Sequence, residues 1–265
     1  MMIKLSKKNM KVFSEQSIKK LLDELETELD SIDPKLREWN QNYFRNHKNR
    51  YIGDLKIIDK WYEGGKILEV GSVSCHLTYC LKTLGYPVIG LDIRPDRLKK
   101  FIERHKLTVI KCDVENEQIP FEQNSFDFIL FNEIFEHLRI DPIFTLNEMN
   151  RVLKSGKIFM LTTPNLYSLS NIVSFFLGRS INDAYEEFEK LHTLGHIGHI
   201  REYSTREIKR FLEHAGFEIM EIRYRRYGAD LYEPVVRPAL YILYLFYLIN
   251  PRWYPMQTII CKKKE

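Results

Sequence analysis

Between residues 66 and 165 short apolar runs and amphipathic stretches alternate with a regularity that few architectures satisfy. KILEV (66–70), PVIGLDI (87–93), LTVIKCDV (107–114), SFDFILFNEI (125–134) and KIFMLTTPN (157–165) read as strands. HLTYCLKTLG (76–85), RPDRLKKFIERH (94–105) and PIFTLNEMNRVLKSG (142–156) read as helices, the first closed by Gly85 and the last by Gly156. Strands joined through helices run parallel, and apolar strands need cover on both faces. The expected core is therefore a doubly wound α/β sheet.

The flanks add helices and two more strands. In residues 14–32, Ile18, Leu21, Leu22, Leu25, Leu29 and Ile32 recur at helical spacing behind Ser14 as N-cap, and Asp33-Pro34 ends the helix. A second helical stretch, 35–62, stops before Gly64-Gly65. This helical preamble is expected to form a lid or a substrate wall; residues 1–50 are assigned to a helical lid or extension, and 51–265 to a single domain. Within that domain 166–203 breaks the rhythm as a substrate-side insertion, and 204–217 is a helix with a capping signal and Gly216 behind it. Strands follow at 217–227 and 256–264, with an apolar helical insertion at 228–255 between them.

Composition excludes little but excludes it clearly. A chain of 265 residues with 44% hydrophobic and 29% charged residues can bury a large core. A net charge of +4 is too mild to call for nucleic acid by itself. Cys75, Cys80, Cys112 and Cys261 form no C-x-x-C pair and lie in or beside apolar runs, which fits buried reduced thiols. MMIKLSKKNMKVF has no apolar signal core, so a cytoplasmic protein is expected.

Ligands of open α/β sheets sit beyond the C-terminal strand ends, and there the acids collect. Glu69 and Gly71 follow the first strand, and Asp92 the second, 23 residues beyond Glu69. Asp113 follows the third, and Asn132, Glu133, Glu136 and His137 the fourth. An acid at the position of Asp92 commonly accepts from both ribose hydroxyls. So much negative charge would repel a pyrophosphate, so the expected ligand is a nucleoside without phosphates. In ILEVGSVSCHLTYCL (67–81) Gly71 permits a tight turn, but Val73 and Cys75 occupy the places of the next two glycines. A β-branched Val73 requires ordinary dihedrals there.

In this order and spacing, ILEVGS, VIGLDIRPDRL, VIKCDVENEQIPFEQNSFDFILFNEIFEHL, NEMNRVLKSGKIFMLTTPN and HIREYSTREIKRFLEHAGFEI resemble the class I S-adenosylmethionine-dependent methyltransferases over roughly 43–220. The resemblance implies a seven-stranded, mostly parallel, Rossmann-like sheet whose last strand is antiparallel. It implies that Glu69, Gly71 and Ser72 line the methionine end of the cofactor. Asp92, with Ile93 beside it, would hold the ribose. Asp113 would accept from the adenine amino group next to the Val114 backbone, and Asn132 would lie near the sulfonium. Val73 and Cys75 depart from the family's E-x-G-x-G-x-G and keep a second reading open, a non-catalytic binding or scaffold subunit of the same fold.

Methyl transfer to oxygen asks for a base more than transfer to an amine does. His137, after the fourth strand, is a candidate, against simple packing on the cofactor edge. LHTLGHIGHIREYS (191–204) offers His192, His196 and His199. H-x3-H-x2-H could wrap one ion, but Gly195 and Gly198 argue against it, and no metal is assigned. His199 and Arg201 are the preferred candidates, because H-I-R resembles an element of family members acting on sugars and related metabolites. The expected acceptor is a hydroxyl of a small molecule or of a glycan or lipid-linked precursor. Nucleic-acid acceptors are disfavoured, since NEIF replaces an N-P-P-Y-like tetrapeptide and no Pro-Cys pair occurs. Ala239–Ile249 is uncharged yet far short of the ~20 residues of a spanning helix. Arg and aromatic residues flank it, so 235–254 is read either as packing on the core or on a second copy in a homodimer, or as contact with a membrane surface.

Overall fold

The computed structural model describes residues 13–29, 34–193, 197–226, 247 and 249–265. Two helices precede the sheet, α1 (Glu15–Glu28) and α2 (Pro34–Trp61). The Ser14 hydroxyl caps α1 by accepting from the Ser17 amide at 3.1 Å. Ile18, Leu21, Leu22 and Leu25 form its buried stripe against α2 and α3 (His76–Thr83). Each such side chain stabilises the packing by at most about 1.5–3 kcal/mol.

The strands are β1 (Ile67–Val70), β2 (Val88–Asp92), β3 (Val109–Lys111), β4 (Phe126–Asn132), β5 (Leu153–Pro164), β6 (Phe217–Arg225) and β7 (Met256–Lys263). They form one sheet in the order β3-β2-β1-β4-β5-β7-β6. The first five are parallel, and β7 runs antiparallel to both β5 and β6. Successive residues feed opposite cores. Ile67, Phe128, Leu130, Ile158 and Met160 face the cluster of α1, α2 and α3. Leu68, Val70, Ile129, Phe131, Phe159 and Leu161 face the cluster containing residues of α5 (Pro142–Val152) and α8 (Thr205–His214). This is the doubly wound sheet expected from the apolar runs.

The helix expected over 142–156 ends earlier, at Val152. The Asn124 and Ser125 amides take the Arg151 and Val152 carbonyls at 2.9 and 2.8 Å. Leu153 turns extended, pairs with Phe126 and is fully buried, so β5 starts where a helix end was expected. Gly156, at φ +69°, belongs to the irregular start of β5 and is not a helix cap. The stretch 94–105 divides into a 3-10 turn and α4 (Lys99–Arg104). The insertion after β5 carries α6 (Leu169–Phe176) and α7 (Ala184–Thr193). α8 starts with a full capping box between Ser204 and Glu207.

α2 is continuous through residue 50, so the N-terminal extension and the sheet domain share an element. All four cysteines are free and buried. Among the described residues no helix is long and apolar enough to cross a membrane. The apolar segment 239–249 lies outside the described residues apart from Tyr247 and Ile249.

Candidate functional site

The C-terminal ends of β1 to β4 open onto a cleft of about 490 Å³, a size that suits a nucleoside-sized ligand. Glu69, Gly71, Ser72, Asp92, Ile93, Asp113, Val114, Asn132 and His137 all line it. Strand ends that are remote in sequence meet here because parallel strands finish on the same edge.

The β1–α3 loop makes its turn with one glycine and one strained cysteine. Gly71 has φ +71°, and a Cβ there would overlap Ile134 Cδ1. Val73 keeps ordinary dihedrals, whereas Cys75 takes φ +64° at the place of the family's last glycine. That left-handed geometry costs a non-glycine residue about 1–2 kcal/mol. Backbone anchors hold it: Asp92 Oδ2 accepts from the Val73 amide at 3.0 Å and Oδ1 from the Arg94 amide at 2.8 Å. His76 ties the loop to α2. Its Nε2 donates to Asn40 Oδ1 at 2.7 Å, which leaves Nδ1 as the acceptor that the Tyr51 and Ser74 hydroxyls share at 2.9 and 2.8 Å.

Burial dominates the electrostatics. It lifts the Glu69 carboxyl from 4.5 to about 8, against the Thr78 hydroxyl and the Arg50 charge, which pull it down. Burial also raises Asp92, opposed by its two amide donors. Glu133 has φ +57°, accepts from Thr162 Oγ1 at 3.0 Å and lies 3.6 Å from Arg50 Nη1. Glu136 is wholly buried, and desolvation followed by the Glu133 charge raises its carboxyl well above the usual range. Burial lowers His137, and it lowers His199 to about 4, so both imidazoles are neutral at pH 7.

The donor set fits a nucleoside cofactor. Both amide atoms of Asn132 and the Ser72 hydroxyl are buried without a protein partner, a cost of about 1–3 kcal/mol per group unless a ligand meets them. Each Asp92 oxygen accepts one amide hydrogen and retains capacity for a hydroxyl. The Asp113 oxygens accept from the Glu115 amide at 3.1 Å and Asn116 Nδ2 at 2.8 Å, which fixes that carboxylate at the cleft wall.

Of the substrate-side candidates, the structure brings together His137 and His199, with ring centroids 4.9 Å apart. Arg201 does not line the cleft. Its guanidinium pairs with Glu207 at the start of α8 and lies 5.0 Å from the Tyr203 ring centre. His192 is exposed on α7, and His196 lies outside the described residues. The helical preamble, read as a lid or a substrate wall, does wall the cleft, but sequence reasoning did not pick out which of its residues do so. Trp39, Tyr43, Arg50, Tyr51 and Asp54 all line the cleft. Residues 43, 50, 51 and 54 share one helical face, and that face of aromatic and charged groups was the available signal.

A seven-stranded sheet of this order, with carboxylates at its first three strand ends and unpaired polar groups in the cleft, defines the class I methyltransferases. A sequence profile for the methyltransferase domain matches residues 42–222, and the chain belongs to that family. Its cofactor is S-adenosylmethionine. The chain is 29% identical over 194 residues to an uncharacterised protein of Methanocaldococcus jannaschii, covering 68% of this chain and 73% of that one. It is 29% identical over 134 residues to a ubiquinone biosynthesis O-methyltransferase of Pelagibacter ubique, covering 49% of this chain and 55% of that one. The fold matches a SAM-dependent methyltransferase of Archaeoglobus fulgidus with a TM-score of 0.56 at 20% identity, over 82% of this chain and 94% of that one.

Proposed function

We propose that the protein transfers a methyl group to a hydroxyl of a small molecule or of a glycan or lipid-linked precursor. When bound, S-adenosylmethionine supplies an electrophilic methyl on a sulfonium. Asp92 would hold the ribose hydroxyls, Asp113 and the Val114 backbone the adenine, and Glu69 the methionine end, with Asn132 toward the sulfonium. The observation that carries the hydroxyl acceptor is the imidazole of His137 in the cleft wall, with the His199 ring, which does not itself line the cleft, centred 4.9 Å from it. His137 Nδ1 donates to the Gly198 carbonyl at 2.9 Å, which makes Nε2 the basic nitrogen of the neutral ring. A base in that state can take the proton that an alcohol or phenol must lose. The name of the Pelagibacter ubique relative, an O-methyltransferase, supports the same acceptor atom.

A lipidic acceptor is favoured by the insertion. Phe175, Phe176 and Leu177 at the end of α6 are 54%, 88% and 62% exposed, a concentration of apolar side chains suited to a membrane surface. The test is methyl transfer from tritiated S-adenosylmethionine to free sugars, quinol-type phenols and lipid-linked saccharides, the last two also in vesicles. Transfer to oxygen is expected, and His137→Ala should lower kcat about 100- to 1,000-fold with cofactor affinity unchanged. Cofactor binding without turnover on any acceptor would instead favour the scaffold reading, and transfer to nitrogen would overturn the hydroxyl acceptor.

The Glu69 carboxyl makes cofactor binding proton-linked. Its folded-state value of about 8 lies above the ordinary 4.5, so between those values the native chain holds a proton that the unfolded chain has lost. Its contribution to stability is full below 4.5 and is lost as pH rises through about 8. Pairing with the ammonium of the cofactor's methionine lowers the carboxyl again. Titration calorimetry at pH 7 in buffers of different ionisation enthalpy should therefore show release of about one proton per cofactor. Glu69→Gln should show none. Equal heats across buffers for the native protein would remove Glu69 from the methionine end.

A further inference from the structure

We infer that Glu136, His137 and His199 form a binding site for one divalent transition-metal cation at the edge of the cleft. One carboxylate oxygen of Glu136 and one ring nitrogen of each histidine lie within 4.8 Å of one another. Residues 136 and 137 come from the turn after β4, and residue 199 from the segment before α8. Only the fold brings them together.

Three observations separate this cluster from ordinary packing. Glu136 is 0% exposed, and while its Oε2 accepts from Thr163 Oγ1 at 2.9 Å, its Oε1 has no hydrogen-bond partner. A buried carboxylate oxygen in that condition calls for a cation or a donor. The Nδ1 atom of His137 is already oriented by an outer group, donating to the Gly198 carbonyl at 2.9 Å. Metal-binding histidines are characteristically steered in this way, through a carbonyl or carboxylate on the other nitrogen. This assigns the ligand role to Nε2 of His137, with one ring nitrogen of His199 completing the set.

The third observation is that the His199 segment is fixed in place. The Ile200 and Arg201 amides donate to the Glu136 carbonyl at 2.9 and 3.3 Å, and the His199 amide donates to Glu187 Oε2 at 2.7 Å. The two segments that carry the ligands are thus bonded to each other.

Two imidazoles and one carboxylate favour Fe2+, Co2+ or Zn2+ over Mg2+ and Ca2+, which prefer oxygen donors, while Mn2+ accepts both donor types and serves as the spin probe. Three protein ligands also leave a coordination position open, as in catalytic rather than structural sites. The use of that position, polarising an acceptor oxygen in place of an imidazole base, rests on the methyl-transfer reading. Cation binding itself does not.

The test uses the full chain stripped with chelator and titrated separately with MnCl2, ZnCl2 and MgCl2, without cofactor or acceptor. One Mn2+ or Zn2+ per chain at micromolar affinity is expected, with Mg2+ far weaker. Glu136→Gln and His199→Ala should each weaken Mn2+ or Zn2+ binding at least about tenfold. Unchanged affinity for S-adenosylhomocysteine in those variants reports an intact fold. Electron spin echoes of Mn2+ bound to the unaltered protein should show modulation from imidazole nitrogen, a readout independent of any variant. No saturable binding below millimolar, binding that survives both substitutions, or bound Mn2+ without imidazole modulation would each overturn the site. Hydroxyl methylation by a protein that binds no cation would leave the function standing and sink only this inference.

Discussion

Replacing Asp92 by alanine is expected to weaken S-adenosylmethionine and S-adenosylhomocysteine binding by about 100-fold. Two hydrogen bonds from ribose hydroxyls to a carboxylate are worth about 1.5–3 kcal/mol each, and water recovers part of that in the free state, leaving about 3 kcal/mol. The substitution acts on the loop as well. The same carboxylate accepts from the Val73 and Arg94 amides, and the loop it braces contains the left-handed Cys75. Asp92→Asn helps to separate the two effects. Its amide oxygen keeps one of the two backbone bonds, while its NH2 end faces the other N–H and cannot accept from a hydroxyl. Asparagine should therefore fall between the native chain and alanine in thermal stability while losing most of the affinity. Calorimetric titration of the three proteins decides it. An alanine variant binding within threefold of native would mean that the ribose is held elsewhere.

Asp54→Ala is expected to have the largest effect on stability, about 3–5 kcal/mol. Its side chain is 1% exposed. Oδ1 accepts from Arg225 Nη2 at 2.6 Å, and Oδ2 lies 4.0 Å from Arg50 Nε. Removing the carboxylate leaves two guanidinium groups in a desolvated place between α2 and β6, with less negative charge to balance them. For a domain of this size the loss corresponds to a fall in Tm of about 10 °C or more. The double variant Asp54→Ala/Arg225→Met should be more stable than Asp54→Ala alone, because it also removes one stranded charge. Urea unfolding of the set measures this. Additive losses would show that the ion pair is not the source of the effect.

Much of the cofactor side was legible in the sequence, because it depends on local pattern and on one topological rule. Alternating strands and helices require a parallel sheet, and a parallel sheet gathers Glu69, Asp92, Asp113 and Asn132 on one edge. The reading failed where local signals competed. Gly156 looked like a helix cap, yet Leu153 is buried in the sheet beside Phe126 and the helix stops at Val152. The lining residues of the α2 wall were not picked out because Tyr43, Arg50 and Asp54 look like an ordinary solvated face until the helix is laid across the strand ends. Arg201 was paired with His199 because H-I-R resembles an element of the family, but its side chain turns to Glu207.

The sequence by itself determined the fold class, the strand-end residues that line the cleft and the capped helix after the insertion, since periodicity, strand-end chemistry and capping are written within a few residues of one another. Only the tertiary structure decided what stands opposite that edge. His137 meets His199 across 61 intervening residues, Glu136 is shut away from water beside them, and α2 joins Arg50 to Glu133. Contacts of that kind depend on where an insertion and a preceding helix come to rest, which no local period encodes.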